Sequence, residues 1–505
     1  AQAFLSYRKA AGPAGDYSDE ALLRLARLTP GVDGAALYER MLSENPQSSL
    51  VPAALSEVAE RYVALEDTAR SSAAYAKLVD QFPDHPLSRN ARYGLGWARY
   101  QAGQFAEATT PLWDVARDSD ATDELRNASL ELLVWSFAKA KNPKDAAAAF
   151  RAFAARTTDE PRLLSAARIV DGALVEASDV AGRRELWQSV ATTLTDPASV
   201  AASKVELGFV ALDAGDAEAA AREAIAARQA APTSPDVAEL LFFVGEAYYE
   251  AGDDERAAPL YVAASEHAAD EVAERALYKG GFSELRRGGN AAAAQSFGAL
   301  VKRFPKGVLA PESMFLAGEA CYRDKQFEPS ATWLRQMVEG YPRHASRAKA
   351  LFRLGLAEGQ LENWGASADA LGNLVSRHPD FASLTEAELW RGRALSRRGD
   401  RRAARQSLAR VIEADEGVLA AQARIETGRI LEAENDGEGA LSEYLKVAVL
   451  YGHAEECAEA LVRAGDVLAA SGEKGRAKER YEEVLKDYPD TAFAKKAKKR
   501  LEGGA

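Results

Sequence analysis

Residues 238–259, AELLFFVGEAYYEAGDDERAAP, contain one complete example of the pattern that decides the fold. Apolar residues recur at three- and four-residue steps between Leu241 and Tyr248, which is the period of a helix with one buried face. Gly252 then interrupts the pattern, and glycine ends a helix at low steric cost. A second helical pattern runs from Ala257 to Ala264. This stretch therefore predicts a helix, a tight turn and a second helix.

The same pattern repeats along the chain, and a glycine marks the first helix of most units. We call this place the anchor position, and ten glycines occupy it: Gly96, Gly172, Gly208, Gly245, Gly281, Gly318, Gly355, Gly392, Gly428 and Gly465. From Gly172 onward the spacing is 36 or 37 residues. Extrapolation towards the N-terminus adds Val134, Ala59 and Leu22, so we expect about thirteen repeats.

Two further positions recur at fixed distances in sequence from the anchor. The residue twelve positions later is small in every repeat except that of Gly172, where Arg184 departs from the rule. Proline follows 24 positions after the anchor in seven repeats, and the residue before a proline avoids the helical region. A glycine inside a helix costs about 1 kcal/mol relative to alanine. We therefore expect it to permit close approach of the neighbouring helix backbone, with the small residue facing it.

These residues resemble the tetratricopeptide repeat. The likeness is clear in Val244-Gly245, Tyr248, Gly252-Asp253 and Ala257, and it covers residues 16–505. The usual unit has 34 residues, so longer helices are expected here. The resemblance implies an all-α, right-handed superhelical solenoid of about 13 helix-turn-helix repeats with a C-terminal capping helix.

Several helices end in an aromatic residue followed by proline. These loops are Phe82-Pro83, Phe304-Pro305, Tyr341-Pro342 and Tyr488-Pro489. They resemble the longer-step repeats of bacterial envelope proteins, such as the tetratricopeptide protein of the Tol-Pal system and the repeat lipoprotein of outer-membrane assembly. This likeness implies a periplasmic or outer-membrane-associated location.

The repeats predict three segments. An N-terminal stack comprises residues 1–157 and a C-terminal stack residues 158–490, with a bend at 157–161, although one continuous solenoid is the alternative. Residues 491–505 form the predicted capping helix, because Ala494, Ala497 and Leu501 share one face among lysines. A basic tail that binds a membrane or nucleic acid is the rival interpretation of this segment.

Composition limits the classes of partner. The net charge of −13 argues against a general nucleic-acid or anionic-membrane surface. No apolar run approaches the eighteen residues of a membrane span. The first residue, Ala1, fits either a mature exported product or a piece of a longer chain. Proteins are therefore the expected partners, with no nucleic acid and no transmembrane segment.

No pattern in the sequence indicates catalysis. The five histidines fall in five different repeats, without the ligand spacing of a metal site. Neither a nucleophile elbow nor a phosphate-binding glycine loop is present in the sequence. Cys321 and Cys457 lie four repeats apart and are expected to be buried, unpaired thiols. We therefore expect a non-enzymatic protein with no cofactor and no metal.

Aromatic residues are concentrated where the resemblance places the concave groove. Tetratricopeptide stacks line this groove with the first helix of each repeat, six and three residues before the anchor and one, four and five after it. Those positions hold Tyr93, Trp97, Tyr100, Trp135, Phe209, Phe242, Tyr249, Tyr278, Phe282, Phe315, Tyr322 and Phe352. Tyrosine and tryptophan mark binding hot spots, which predicts a partner-binding surface. Packing between adjacent first helices is the alternative.

A run of arginines, residues 391–410, departs from the acidic balance of the chain. We call it the arginine run: Arg391, Arg393, Arg397, Arg398, Arg401, Arg402, Arg405 and Arg410. Arginine forks suit carboxylates, so the run predicts a dock for an acidic segment. A solvated helix pair explains the same charges without a partner.

The sequence thus predicts a protein–protein interaction scaffold of the bacterial cell envelope that holds partner segments in an aromatic groove. The alternative is a cytosolic adaptor or regulatory array, or an accessory module of a larger protein whose effector domain lies outside this chain. Chaperone-tail binding is not expected, because Tyr93, Trp97 and Phe242 stand where a carboxylate clamp would need lysine and asparagine.

Overall fold

The structure is a computed structural model that describes residues 18–503 together with Gln2, Ser6 and Lys9. Within these residues the chain is helical, with no β-strand. The predicted N-terminal stack includes residues 1–17, most of which lie outside the described residues. The helices described below begin at Ser18.

Twenty-seven helices follow one another between Ser18 and Glu502. Their bounds are α1 Ser18–Leu28, α2 Gly31–Glu44, α3 Val51–Ala64, α4 Thr68–Gln81, α5 Leu87–Gln101, α6 Phe105–Arg117, α7 Asp123–Lys139, α8 Pro143–Ala154, α9 Glu160–Glu176, α10 Val180–Ala191, α11 Pro197–Asp213, α12 Ala217–Ala230, α13 Pro235–Glu250, α14 Asp254–His267, α15 Asp270–Arg286, α16 Asn290–Arg303, α17 Ala310–Arg323, α18 Phe327–Gly340, α19 Arg347–Gln360, α20 Trp364–Arg377, α21 Leu384–Arg398, α22 Arg401–Ala414, α23 Val418–Ala433, α24 Gly437–Leu450, α25 Ala454–Ala470, α26 Lys474–Asp487 and α27 Ala492–Glu502. The first twenty-six helices form thirteen hairpins, and α27 is the last helix. The predicted number of repeats is confirmed.

The chain divides by compactness into two units, Ala1–Val244 (unit 1) and Gly245–Ala505 (unit 2). In unit 1, one core cluster runs from Leu22 to Leu95 and another from Ala108 to Val210. In unit 2, the largest cluster runs from Ala293 to Ala387. Each cluster collects apolar residues from successive helices, as expected where every repeat buries its face against its neighbours.

The turn inside each hairpin has a fixed geometry. A residue with positive φ follows the first helix in twelve hairpins: Glu66, Gly103, Lys141, Ser178, Gly215, Gly252, Gly288, Lys325, Glu362, Gly399, Asn435 and Gly472. Six of these residues are glycine, which adopts this conformation without a steric cost. The other six, such as Lys325 at φ 58°, adopt it against their preference.

In six of these twelve hairpins an aspartate follows the turn and starts the second helix. In α14, for example, the Asp253 carboxylate accepts a hydrogen bond from the backbone N–H of Arg256 (3.1 Å). The same N-cap occurs at Asp67, Asn142, Asp179, Asp216, Asp400 and Asp436. Capping of this kind contributes about 1 kcal/mol per helix. The Gly-Asp pair therefore ends one helix and begins the next.

The anchor glycines make room for a large side chain rather than for a backbone. A Cβ built on Gly318 would lie 2.5 Å from Leu334 Cγ, and one on Gly428 would lie 2.4 Å from the ring of Tyr444. In eight of the ten anchors the filling residue lies sixteen positions later, on the second helix of the same hairpin: Leu112, Tyr261, Phe297, Leu334, Leu371, Leu408, Tyr444 and Tyr481. The expected approach of the neighbouring helix backbone is therefore wrong for these eight anchors, because a large side chain fills the space.

The small residue twelve positions after the anchor does face the first helix. Ser330 and Ser367 donate hydrogen bonds to the carbonyl oxygens of Gly318 and Gly355, each at 2.7 Å. Where alanine stands instead, as at Ala257, the side chain is completely buried. A larger residue at this place would push the two helices apart.

Gly172 is not the anchor of its repeat, which corrects the sequence interpretation. A Cβ on Gly172 would meet nothing within 4 Å, and the residue is exposed. Asp171 occupies the inward place, the turn residue Ser178 follows it by seven positions, and Arg183 follows it by twelve. Asp171 and Arg183 are buried and form an ion pair. This charged pair replaces the glycine and the small residue that other repeats have at these two positions. The spacing of 37 residues from Asp171 to Gly208 supports this assignment.

The predicted division after residue 157 falls inside unit 1. The core cluster from Ala108 to Val210 continues past Thr157, so apolar packing is not interrupted there. The division after residue 157 and the alternative of one continuous solenoid both stay predictions. A bend at residues 157–161 stays a prediction.

Helix α27 packs on the last hairpin as a capping helix. Ala494 and Ala497 are buried against a cluster that includes Leu461 and Tyr481. Arg500 forms two hydrogen bonds with Asp466 of α25, at 2.8 and 3.2 Å. Lys495, Lys498 and Lys499 remain exposed and give the end of the stack a polar surface. The predicted capping helix is present, although residues 504 and 505 lie outside the described part of the chain.

Candidate partner-binding surface

In unit 1 the groove aromatics lie on first helices but are partly buried. Tyr93 and Tyr100 of α5 pack against the core cluster that continues to Val210. Burial raises the pKa of Tyr93 above its usual value, and the nearby charge of Glu131 adds to this. Trp97 and Trp135 are also partly buried. Phe209 contacts the exposed ring of Phe243 (5.9 Å between centroids), while Phe242 is only 1% exposed and belongs to the core.

In unit 2 the groove aromatics are also partly buried or fully buried. Tyr278, Phe282 and the buried Phe297 form an edge-to-face trio with centroid distances of 4.9 to 6.0 Å. Tyr322 packs on Phe327, Phe352 packs on Phe381, and Tyr249 packs on Tyr261. Phe315 is buried. Packing between helices therefore explains much of this aromatic pattern, and partner contact by the partly buried rings stays a prediction.

The structure distributes the arginine run over two helices. Arg391 and Arg410 both contact the buried carboxylate of Glu388, at 3.4 and 2.7 Å. Arg398 pairs with Asp369 and Asp400, and Arg405 pairs with Glu434. Arg393 pairs with Glu426. Within the described residues, Arg397, Arg401 and Arg402 form no ion pair and are exposed, so the run is largely neutralised and is not one continuous patch.

A cavity of about 340 Å³ opens between first helices near the C-terminal end of unit 2. We call it the Trp390 cavity. Trp364, Trp390 and Phe493 give it aromatic walls. Three arginines (Arg393, Arg397 and Arg429) and four glutamates (Glu426, Glu455, Glu456 and Glu459) supply its charges, and Gln422 and Ile425 complete the lining. Two members of the arginine run, Arg393 and Arg397, line it, but none of the predicted groove aromatics does.

An ordered network holds most of these charges in place. The guanidinium of Arg393 lies over the Trp390 ring (4.8 Å) and donates to Glu426 (3.2 Å) and Gln422 (3.0 Å). Arg429 donates to Glu426 at 2.7 Å and also to Glu459. Burial lowers the pKa of Arg429, but the two carboxylates outweigh this effect and raise it. The walls of the cavity are therefore preorganised, which lowers the entropic cost of binding.

The sequence pattern missed several of these residues. Trp390 lies two positions before its anchor glycine, outside the expected groove positions, and Trp364 lies at the start of a second helix. Phe493 belongs to the capping helix. Tryptophan and arginine close together around residues 390–397 were a usable signal, because these two residue types are enriched in binding hot spots.

Metal-ligand clusters and membrane-spanning helices are absent among the described residues. No group of three or more His, Cys, Asp or Glu side chains there could hold a metal ion. None of the helices in the described part of the chain has the length and apolarity needed to cross a bilayer.

Family models match several stretches of the chain. Tetratricopeptide repeat models match residues 59–124, 205–272, 389–460 and 459–491. A model described as outer membrane lipoprotein matches residues 270–413, within unit 2. No curated protein matches the chain.

Solved structures of repeat proteins are similar at low identity. A tetratricopeptide repeat protein from Parabacteroides merdae is 18% identical (TM-score 0.27) over 53% of this chain and 97% of its own. The Naa15/Naa10 complex bound to HypK-THB is 14% identical (TM-score 0.36) over 85% of this chain and 67% of the matched chain. Yeast Tom70 is 13% identical (TM-score 0.28) over 90% and 96%. At these values none of their functions transfers to this chain.

The repeat geometry and the family models agree. The hairpins, the Gly-Asp turns and the anchor positions follow the repeat pattern through both units, and the matched stretches lie on them. The outer membrane lipoprotein match adds a resemblance to bacterial envelope proteins of this type. This chain is a tetratricopeptide repeat protein.

Proposed function

We propose that this chain is a scaffold of the bacterial cell envelope that binds a segment of a partner protein at the Trp390 cavity. Tetratricopeptide repeats are protein–protein interaction modules, which gives the general function. The observation that carries the more specific proposal is the cavity itself, where three aromatic rings and three arginines meet between first helices. Aromatic residues and arginine dominate the energetics of protein interfaces.

Two observations support the envelope location. The outer membrane lipoprotein match covers residues 270–413, which include the first helix that contributes Trp390 and Arg393. The aromatic-proline loops at Phe304-Pro305 and Tyr341-Pro342 lie in the same stretch. Partners in the periplasm or at the outer membrane follow from this location.

Affinity purification of the tagged full-length protein from fractionated cells of its native host tests the proposal. We expect the protein in the envelope fraction, together with co-purifying proteins identified by mass spectrometry. Trp390→Ala should weaken this co-purification, while Trp113→Ala, at a residue of unit 1 that does not line the cavity, should not. A protein found only in the cytosol contradicts the location, and equal capture by both variants contradicts the site.

A further inference from the structure

We infer that the Trp390 cavity recognises a partner segment in which an aspartate or glutamate side chain stands beside a bulky apolar side chain, and that the capping helix completes this site. The inference rests on the proposed function, because it names the chemistry of the segment bound there. It follows from the hydrogen-bonding groups of the cavity that remain available.

The carboxylates of the cavity are already engaged. Glu426 accepts from Arg393 and Arg429, and Glu459 accepts from Arg429 and from Arg463 (2.9 Å). Burial alone would raise the pKa of Glu459, but the hydrogen bond from Arg463 and the charge of Arg429 lower it. Both carboxylates therefore already have two arginine partners within the protein, and those of Glu459 favour its charged form.

The two remaining carboxylates also have partners. Glu456 accepts a hydrogen bond from the Gln422 side chain (2.9 Å), and Glu455 accepts one from the backbone N–H of Ala492 (3.1 Å). Each of these bonds uses one carboxylate oxygen and holds the side chain against the wall. The carboxylates thus stabilise the walls and do not provide the main recognition groups.

Among the charged side chains that line the cavity, Arg397 is the one without a partner in the described part of the chain. Arg397 is exposed, lines the cavity four residues after Arg393 on the same helix, and forms no hydrogen bond or ion pair within the described residues. The Nε atom of Arg429 is buried and has no hydrogen-bond partner there either. An arginine fork binds a carboxylate with two parallel hydrogen bonds. The available chemistry therefore favours a carboxylate, with Arg397 as its main contact.

The aromatic walls define the rest of the segment. Trp364, Trp390 and Phe493 surround a volume of about 340 Å³, near the lower end of the range of ligand cavities (roughly 300–1,000 Å³). Such a volume accommodates one bulky side chain rather than a long stretch of peptide. An apolar side chain in contact with these rings would leave the neighbouring carboxylate at Arg397.

The capping helix belongs to this site. Phe493 of α27 forms one wall, and the first turn of α27 is fixed by the contact between Ala492 and Glu455. The ammonium of Lys496, also on α27, lies over the Phe493 ring, 4.3 Å from its centroid. A bound segment that packs on Phe493 should therefore stabilise α27 against local opening.

Selection from a library of random heptapeptides tests the inference. The full-length protein is the bait, and the peptides are displayed as internal fusions without a free carboxyl terminus. We expect enrichment of Asp or Glu next to Trp, Phe, Leu or Ile. Arg397→Glu should weaken binding of the enriched peptides by about tenfold or more, the loss of one charged hydrogen-bonded pair. A repeat selection with this variant should shift towards Lys or Arg.

The matched control is Arg402→Glu, which reverses another exposed arginine of the same run that does not line the cavity. We expect its affinity to stay within about twofold of the original. Both positions are exposed, so circular dichroism should show intact folding in both variants. Hydrogen exchange should slow in α27 when a selected peptide is bound.

Several outcomes would overturn the inference. Enriched peptides without a carboxylate, no enrichment at all, or equal losses for the two variants would each remove Arg397 as the recognition group. Unchanged exchange in α27 would remove the capping helix from the site. If native partners still co-purify in these cases, the scaffold function stands and only its recognition chemistry is wrong.

Discussion

Two hairpins, α9–α10 in unit 1 and α17–α18 in unit 2, share the same turn but differ in their cores. In α17–α18 the absent side chain of Gly318 leaves room for Leu334, which is fully buried. In α9–α10 the corresponding place holds Asp171, which accepts hydrogen bonds from Arg183 (2.9 and 3.2 Å) and from the Trp187 indole N–H (2.9 Å).

The difference separates what the repeat requires from what it tolerates. Both hairpins need a compact contact between their two helices, and both place a large buried residue sixteen positions after the anchor. Apolar packing forms the contact between the two helices in α17–α18, and a buried ion pair forms it in α9–α10. Buried ion pairs seldom add net stability, but removal of one partner is strongly destabilising. The two hairpins should therefore respond differently to substitution.

The largest effect is expected for Asp171→Ala. This change leaves the guanidinium of Arg183 buried with one remaining partner, Asp213, and removes the acceptor of the Trp187 indole. We expect a loss of about 3–5 kcal/mol in the local free energy of unfolding. Hydrogen exchange of α9 and α10 measures it, and α17–α18 serves as the internal control. Unchanged protection of α9 would mean that the ion pair does not support this hairpin.

The second-largest effect is the recovery of stability in a triple variant of the hairpin α9–α10. The triple variant Asp171→Gly, Arg183→Ala, Trp187→Phe gives α9–α10 the residues of α15–α16, where Gly281, Ala293 and Phe297 stand at these places. Replacement of a buried ion pair by apolar packing is often neutral or stabilising. We expect the triple variant to regain about 2 kcal/mol or more relative to Asp171→Ala in the same measurement. A triple variant as unstable as the single one would show that the hairpin cannot accept the regular core.

A smaller effect on stability should distinguish Gly318 from Gly172. Gly318→Ala places a Cβ 2.5 Å from Leu334 Cγ, and such overpacking costs about 1–3 kcal/mol. Gly172→Ala, in contrast, adds a methyl group to an exposed helix position with open space and should stabilise by up to about 1 kcal/mol. Thermal unfolding of the two variants compares them directly. Destabilisation by both would return Gly172 to the anchor position.

The smallest effect concerns the shared turn. Ser178 (φ 56°) and Lys325 (φ 58°) both adopt the left-handed conformation that glycine prefers. Replacement of either by glycine should stabilise its hairpin by some tenths of a kcal/mol up to about 1 kcal/mol, because relief of strain exceeds the added chain entropy. Equal gains in the two hairpins, measured by urea unfolding, would confirm that the turns are equivalent. A gain in stability for only one variant would show that the two hairpins differ in their turns as well as in their cores.

Local pattern was enough to predict the hairpins. Helical periods, the Gly-Asp turns and the spacing of the anchors all depend on residues close in sequence, and the structure has the thirteen hairpins and the capping helix that they imply. The residue that fills the space at eight of the ten anchors was also visible, since a leucine, tyrosine or phenylalanine recurs sixteen positions later. Gly172 misled the prediction because it follows Asp171 directly and only the packing shows which of them points inward.

The candidate site was less predictable because it depends on distances between repeats. Trp364, Trp390 and Phe493 come from three parts of unit 2 that are far apart in sequence. The arginine run resembles one basic patch in the sequence, but its first four members lie on α21 and its last four on α22, and five of the eight pair with carboxylates. Pairing of this kind is set by side-chain geometry and has no marker in the spacing of the residues.

The place of the filling side chain determines which hairpins can be exchanged as blocks. In the hairpin α17–α18, the side chain that fills the space at Gly318 is Leu334, which lies on the second helix of the same hairpin. The closest contact between the two helices is therefore contained within one hairpin. The hairpin α11–α12 differs, because the space at Gly208 is filled by Leu240 of the following helix, 2.5 Å from the built Cβ. A chimera that transplants α17–α18 therefore carries its own core contact into the new position, whereas one that transplants α11–α12 must carry α13 as well.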